Sequence, residues 1–548
     1  MLVYGDSARH ERTSEALASI RERLALPGRD ARVAALIEAG ELAQGIADAE
    51  FEAHGCDARS QAQDAAMRLV VGIARSICTG SAVPRGDLDA VRGLDLLRIK
   101  RPEGFAFYAL YPECYFEAAR TLQGRRLRVI GLRSIGTTLA AMVGAATDAP
   151  LPMTVRPVGH PFRRELTLST ELARELLEDR EAGYAVVDEG PGLSGSSFGA
   201  VADFLEDRGV SPERIHFFPG HLGELGPAAS DRHRARWSSA NRHAVDFDQA
   251  IAPTLATQME ELVGPAIEPL REISGGAWRP LRFPSERDWP GSHLQQERRK
   301  FLLRTADATW LLKFAGLGRD GERAFTRAKT LARAGFVPEV VGLRRGFLVQ
   351  PWLDDSCPPD AVPTNTVGAY LGFRARHLPA EPDSGATLAQ LLEMARHNIA
   401  EALGPNSARL LDRWQPSLAK LEQRVCRVET DNRMHAWEWI AHCGRILKAD
   451  ACDHCAAHDL VGGQDIAWDI AGAEFELGMD TQALSRIVAR ASGREVHPEL
   501  LAFMRPCYLA FQLGHASLAA EALAAIPDEA ARLRSLAARY ARLLRAAL

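Results

Sequence analysis

The run AVVDEGPGLSGSSF, residues 185–198, places two carboxylates, three glycines and three hydroxyls in one short segment behind an apolar stretch. Asp188 and Glu189, delivered to a strand's carboxyl end, can bind ribose hydroxyls directly or through Mg²⁺, which prefers oxygen ligands and bridges phosphates. Gly192 and Gly195 permit backbone conformations that aim N–H groups inward and let a phosphate approach closely. Ser194, Ser196 and Ser197 add hydroxyl donors, and a helix starting near Phe198 would favour an anion at its N-terminus. Upstream, VIGLRSIGTTLA (129–140) offers a second strand–loop–helix with Arg133 as charged donor and Ser134 and Gly136 in the loop. Between the two, TVRPVGHPFRREL (154–166) carries Arg156, His160, Arg163 and Arg164, which suit a flexible cationic flap.

These three segments, in this order, resemble the type I phosphoribosyltransferases over roughly residues 126–222. The resemblance implies phosphoribosyl pyrophosphate as ligand, with the serine loop on its 5-phosphate and the Arg133 loop on its pyrophosphate. It also implies displacement at C1 of the ribose, pyrophosphate leaving, and Asp188, Glu189 and Arg133 in the catalytic set. Asp188 and Glu189 would also hold Mg²⁺. The phosphate loop is one residue longer than the common pattern and contains Pro191. Phe105, Phe107, Tyr108 and Tyr111 either wall off a planar base, with Tyr108 as the contact, or pack a core or domain interface. The plainer alternative is an α/β domain whose Gly- and Ser-rich loop is merely a turn.

A second constellation lies downstream. Lys313 ends a strand in WLLKFAG, and Glu322 follows on a helix; a strand lysine paired with a helix glutamate can orient nucleotide phosphates. GFLVQPWLDD and GGQDIAWDIAGAEFE, the latter with Asp465 and Asp469, resemble segments of aminoglycoside- and choline-kinase-like proteins. That resemblance covers about 279–548 and implies ATP, Mg²⁺ and phosphorylation of a small molecule, with Lys313 and Glu322 at the nucleotide. The family's HGDxxxxN is absent. TDNRMHAWEWI (430–440) stands nearest, with Asp431 as base and Glu438 as a metal ligand; Asp453 takes the second metal position, with Asp450 and Asp459 competing. No Gly-rich loop precedes Lys313. CDHCAAH, with Cys452, His454, Cys455 and His458 and with His442 or Cys443 as a further ligand, has zinc-ligand types but no second well-spaced pair, and zinc is the weaker reading.

The elements that must position these residues follow from periodicity. Segments 14–24, 30–53 and 62–78 repeat apolar residues at helical spacing. From Arg126, LRVIGL, YAVVDE and RIHFFPG alternate with helix-compatible stretches, the pattern of a parallel α/β core. Pro, Gly and polar residues cluster at 269–284. The expectation is an α/β domain with N-terminal helices over 1–270, then an α+β kinase-like domain over 278–548, its small β-rich lobe preceding a helical lobe from Thr387 onward. The 548 residues are 46% apolar and 25% charged with a net charge of −5, which gives no reason to expect nucleic acid. The most apolar long stretch, 129–146, is broken by Arg133, so no membrane span is expected. No secretory pattern opens the sequence and its nine cysteines are scattered, so a cytoplasmic location is expected. The leading expectation is a bifunctional enzyme, phosphoribosyl transfer plus ATP-dependent phosphorylation of an unspecified acceptor. The alternative is a regulatory protein that binds phosphoribosyl pyrophosphate or a nucleotide on a degenerate kinase-like scaffold.

Overall fold

A computed structural model describes residues 1, 8–92, 95–294, 296–381 and 384–548. The expected N-terminal helices are present as α1 (Thr13–Ala25), α2 (Arg29–His54) and α3 (Gln61–Thr79). Glycines in the left-handed conformation, Gly55 (φ 71°) and Gly80 (φ 73°), stop the last two.

Behind them lies a five-stranded parallel sheet of β1 (Leu127–Leu132), β2 (Met153–Val155), β3 (Gly183–Val187), β4 (Ile215–Phe218) and β5 (Asn241–Arg242). Its order is β2-β1-β3-β4-β5. These strands are apolar on both faces because helices cover both. Leu127, Val129, Ala185 and Val187 join the core under α2 and α3. Ile130, Tyr184 and Val186 face the other way, toward Phe198 and Trp237. The connection from β1 leads to one edge and that from β2 back across to β3. The crevice between the carboxyl ends of β1 and β3 is therefore a topological switch point, where open α/β sheets bind ligands. Helices α4 (Gly136–Thr147) and α5 (Ser196–Glu206) begin at that crevice.

An antiparallel sheet follows, β6 (Arg271–Glu272), β7 (Lys300–Arg304), β8 (Thr309–Phe314), β9 (Gly342–Arg344) and β10 (Phe347–Pro351), in the order β6-β7-β8-β10-β9. Helix α6 (Gly318–Arg333) connects β8 to β9. The period of two decides what each face does. Leu312, Phe314, Phe347 and Val349 point into the same core as α2 and α3, where Phe247 stacks on Phe301 with ring centres 5.8 Å apart. Leu311, Lys313 and Gln350 point the opposite way, into a cleft. The Pro- and Gly-rich stretch at 269–284 thus does not separate two cores: β6 lies inside it, and the new sheet buries one face against the first half.

The C-terminal lobe packs α7 (Ala467–Leu477), α8 (Pro498–Ala522) and α9 (Pro527–Ala547) around Trp468 and Phe503. It departs from the nearly all-helical expectation at 427–466, where Trp439–His442 pairs with Arg445–Lys448 and Arg427–Val428 with Gln464–Asp465. That stretch is rich in acids and short on helical apolar spacing, and its chain is held by side-chain bonds rather than a helix ladder. Among the described residues no helix is long and apolar enough to cross a membrane.

Candidate functional site

The cleft between the antiparallel sheet and the helical lobe encloses a cavity of about 210 Å³. Lys313, from the cleft face of β8, stands on its wall with its ammonium bound to Asp450 and, at 2.9 Å, to Asp453. Burial works against its charge, but the two carboxylates outweigh burial and hold its pKa above the ordinary value. Lys313 does not meet Glu322. That glutamate is half exposed and takes both ends of the Arg23 guanidinium, 2.7 and 2.8 Å away. Arg23 comes from α1, so the partner that displaces the expected pairing lies 299 residues off. Leu311, Pro351, Trp352 and Leu353 give the cavity an apolar side, with the Arg282 guanidinium 3.6 Å over the Trp352 ring.

Asp431, the residue expected to act as base, is fully buried and is not on the cavity wall. Its carboxylate accepts from Tyr370 Oη and from Lys448 Nζ at 3.2 Å, and His454 Nδ1 lies 3.4 Å away. Burial alone would raise its pKa; Lys448 and His454 reverse that and keep it ionised. Held by these partners and off the cavity wall, the Asp431 carboxylate is not placed to take a proton from a substrate hydroxyl in the cavity. Its backbone is fixed as well, because the Asp469 carboxylate accepts from the N–H of Asp431 (2.7 Å) and of Asn432 (2.9 Å). Asn432 takes φ 64°, and the chain then delivers Arg433, His435 and Glu438 to the cavity.

Two groups of ligand-type atoms converge within 4.8 Å, Asp431 with Glu438 and His454, and Asp450 with Asp453 and His454. Asp450 and Asp453 offer the carboxylate oxygens Mg²⁺ prefers. Their charge is now met by Lys313 and by His454, whose pKa is raised to about 9 because Asp450 and Asp431 outweigh burial. Glu438 is held by Lys448. A dication therefore fits Asp450 and Asp453 by taking over part of the role of these cations. Cys452 and Cys455 stay outside both groups, and burial pushes their thiols up to about 12 and about 11, away from the thiolate a metal needs.

The second candidate site lies at the switch point of the parallel sheet. Gly136 must be glycine, since a Cβ there would come within 2.6 Å of Val187 O on β3. The Arg133–Ser134 peptide in this loop is cis. Arg133 does not face the crevice as a free charge: its side chain is 1% exposed, bound to Asp57 and, at 2.8 Å, to Asp48. Arg156 is held by the same Asp48, at 2.6 Å from Nε. Both acids come from α2 and the turn after it, out of reach of any local motif. The loop Asp188–Ser197 turns on Gly192 (φ 65°) and Gly195 (φ 64°). Ser196 Oγ donates to Pro161 O at 2.8 Å, so the tip of the hairpin formed by Val158–His160 and Arg163–Glu165 caps the loop. His160 and Arg163 on that hairpin are exposed, and Arg164 Nη1 donates to Gly159 O at 2.9 Å. Ser197, partly buried, opens α5. Asp188 and Glu189 have no cation within ion-pair distance among the described residues. Burial raises Asp188 to about 7; burial, then Asp188 and Glu103, raise Glu189 to about 8. Tyr108 does not stand free as a base-stacking wall, because its Oη lies 2.9 Å from His458 Nε2 of the helical lobe.

No family model and no curated protein matches the chain. Solved structures do resemble part of it. Choline kinase LicA from Streptococcus pneumoniae is 13% identical, with 53% of this chain and 98% of that one covered and a TM-score of 0.34. Spectinomycin phosphotransferase APH(9)-Ia, solved with ADP and spectinomycin, is 11% identical over 53% and 93%, with a TM-score of 0.33. Macrolide 2'-phosphotransferase MphH from Brachybacterium faecium is 17% identical over 46% and 91%, with a TM-score of 0.28.

Several residues on or behind the cavity wall carry little sequence signal. Lys448 enters through a hairpin and looks like an ordinary strand lysine. Arg282 reaches the wall from a 3₁₀ turn and stacks 3.6 Å from the ring centre of Trp352. Gln512 lies in the most apolar part of the long helix α8 and lines the cavity together with His515, one turn further on.

Proposed function

We propose that the chain is a nucleotide-dependent phosphotransferase acting on a small molecule in the interlobe cleft, with a ribose-phosphate site on its parallel sheet. The observation that carries the reading is the buried Lys313 ammonium, joined to Asp450 and Asp453 beside a cavity with one apolar side. Phosphoryl transfer depends mainly on positioning and charge stabilisation, which such a lysine supplies. Mg²⁺ bound at Asp450 and Asp453 would neutralise charge building on the transferred phosphate. Asp450, on the wall where Asp431 is not, holds Lys313 in reach of the phosphates. Arg433 adds a second positive charge.

At the parallel sheet, the serine loop and the N-terminus of α5 suit a phosphate, and Asp188 with Glu189 suit ribose hydroxyls or Mg²⁺. The switch-point placement supports phosphoribosyl pyrophosphate as ligand and phosphoribosyl transfer as the reaction there. The test is calorimetry on the whole chain with ATP and with phosphoribosyl pyrophosphate, each with Mg²⁺, followed by assay of ADP and pyrophosphate release. Absence of heat with ATP sinks the phosphotransferase. Binding of phosphoribosyl pyrophosphate unchanged in Asp188→Asn/Glu189→Gln removes that pair from the site. The sequestered Asp431 favours a second reading, a regulatory protein that binds these ligands without turnover; both ligands binding with no product would select it.

A further inference from the structure

Four polar atoms on residues lining the interlobe cavity are buried without a hydrogen-bond partner among the described residues; His435 Nδ1 faces Glu476 at 3.6 Å, and the other three are Trp278 Nε1, His293 Nε2 and Gln512 Nε2. Gln512 is only 5% exposed. Buried polar groups of this kind are almost always satisfied by protein or ordered water, and beside a cavity a ligand's hydroxyls can take that water's place. The required chemistry can be read from each atom. His293 Nδ1 lies 2.5 Å from Gln296 Oε1, and with the amide in that orientation Nδ1 donates and Nε2 is left as an acceptor. Burial lowers the His293 pKa and keeps the ring neutral. Trp278 and Gln512 are donors. A ligand that both gives and receives hydrogen bonds at these points carries hydroxyls.

The charge balance of the wall fixes its sign. Each acid facing the cavity already has a lysine: Glu297 has Lys300, Glu438 shares Lys448 with Asp431, and Asp450 shares Lys313 with Asp453. Two guanidinium groups have no comparable partner. Arg282 donates only to Leu353 O and to Ser356, with no carboxylate at ion-pair distance among the described residues. The Arg433 guanidinium makes no hydrogen bond there, and its one acid, Asp459, is 3.9 Å away and is shared with His515 at 3.1 Å. A wall guanidinium without a carboxylate of its own suits an anion better than an amine.

We propose that the phosphoryl acceptor is an anionic polyol, a sugar phosphate or sugar acid. Gln512 and Trp278 donate to its hydroxyl oxygens, one hydroxyl donates to His293 Nε2, and Arg282 and Arg433 face its negative group. The proposal rests on the reading of the cleft as a phosphotransferase site. In the transfer, an acceptor hydroxyl oxygen forms the new P–O bond while the bond between the β- and γ-phosphates of the nucleotide breaks. The nucleoside diphosphate leaves with that electron pair, and the hydroxyl proton passes to water.

The test is calorimetry on the full chain, with and without saturating Mg-ADP, using glucose 6-phosphate, gluconate, glucose and choline as probes. At least one anionic probe is expected to bind tenfold or more tighter than glucose, and choline to give no heat. Gln512→Leu and Arg282→Met should each weaken the anionic probe at least tenfold with an unchanged circular dichroism spectrum. Loss of the anionic probe in Ser194→Ala/Ser196→Ala, with Gln512→Leu and Arg282→Met unaffected, would place the probe at the parallel-sheet loop and not in the cleft. Choline binding tighter than both anions, no binding by either anion, or loss only in the serine variant overturns the proposal. So does Gln512→Leu weakening ADP itself, since the free atoms would then serve the nucleotide. If the anions bind as expected but ATP gives no heat, the phosphotransferase reading fails and the acceptor site stands.

Discussion

The phenol of Tyr108 lies 2.9 Å from Nε2 of His458, across 350 residues of sequence, and it joins the parallel-sheet half to the acid-rich loop of the helical lobe. The contact is one of a set. Phe107 packs on the His458 ring at 4.9 Å, Arg101 donates to Ala456 O at 2.6 Å, and Arg298 bridges Ala106 O and Asp453. Phe107 ends the short helix Glu103–Phe107, which on its other side touches the second site, since a Cβ on Gly104 would lie 2.9 Å from the Glu189 carboxyl. Tyr108→Phe and His458→Ala should therefore be non-additive, with a coupling of about 1 kcal/mol in a double-mutant cycle by denaturant unfolding. Additivity of the two changes would show the bond contributes nothing to holding the halves together.

Asp188 and Glu189 make a pH prediction of definite sign. Their carboxyls release protons near 3.8 and 4.5 in an ordinary setting, but only near 7 and 8 in the fold. Between these values the native chain holds more protons than the unfolded one, so stability falls as pH rises from about 5 to 8. Asp188→Asn/Glu189→Gln removes that loss and should stabilise the protein at pH 8 by on the order of 3 kcal/mol, with little effect at pH 5. A metal ion at the pair should act in the same direction. Mg²⁺ should raise the Tm at pH 8 in the natural chain and release protons on binding. An identical pH–stability curve for both proteins would show the carboxyls are not enclosed as described.

Asp431 is predicted to behave as a structural residue. Lys448 is fully buried and compensates it, and breaking such a pair leaves an unpaired buried charge. Lys448→Met should cost about 3–5 kcal/mol, and Asp431→Asn a similar amount. Any Asp431→Asn protein that folds should keep the turnover of the natural chain under saturating substrate. A loss of kcat by several orders of magnitude with unchanged stability would return Asp431 to the role of base. His454 adds a pH limit at the alkaline end. Its pKa is raised from 6.5 to about 9, so its stabilisation is complete below about 6.5 and lost as pH rises through 9. His454→Gln should flatten that alkaline decline in a thermal melt series.

Local pattern made the helices and the parallel strands legible, because periodicity of 3.6 and runs of Val and Ile report burial directly. It also located the loops at 133–136 and 188–197 at the ends of their strands. What it could not carry was compensation at long range. Arg133 reads as a free cation until Asp48 and Asp57 are folded against it. Lys313 reads as the partner of the next helix's glutamate, yet Arg23 from the first helix takes Glu322 and leaves the lysine to Asp450 and Asp453. The segment 427–466 resisted reading for a related reason. Its conformation is set by side chains such as Asp469, which bonds backbone amides 37 and 38 residues away, and no periodicity records that.

Lys313 gives the sharpest separation between stability and function. Its ammonium holds two carboxylates that would otherwise face each other inside the protein. Lys313→Met should thus destabilise the chain by about 3–5 kcal/mol, and a fall in nucleotide affinity in that variant could come from unfolding alone. The combined change Lys313→Met/Asp453→Asn separates the two effects. Removing one carboxylate with the lysine relieves the repulsion, so the Tm should recover most of the loss. The positive charge facing the phosphates stays absent, so ATP affinity should remain at least tenfold below that of the natural chain, by about 1.4 kcal/mol or more. Recovery of affinity together with stability would mean that Lys313 only holds the two aspartates in place.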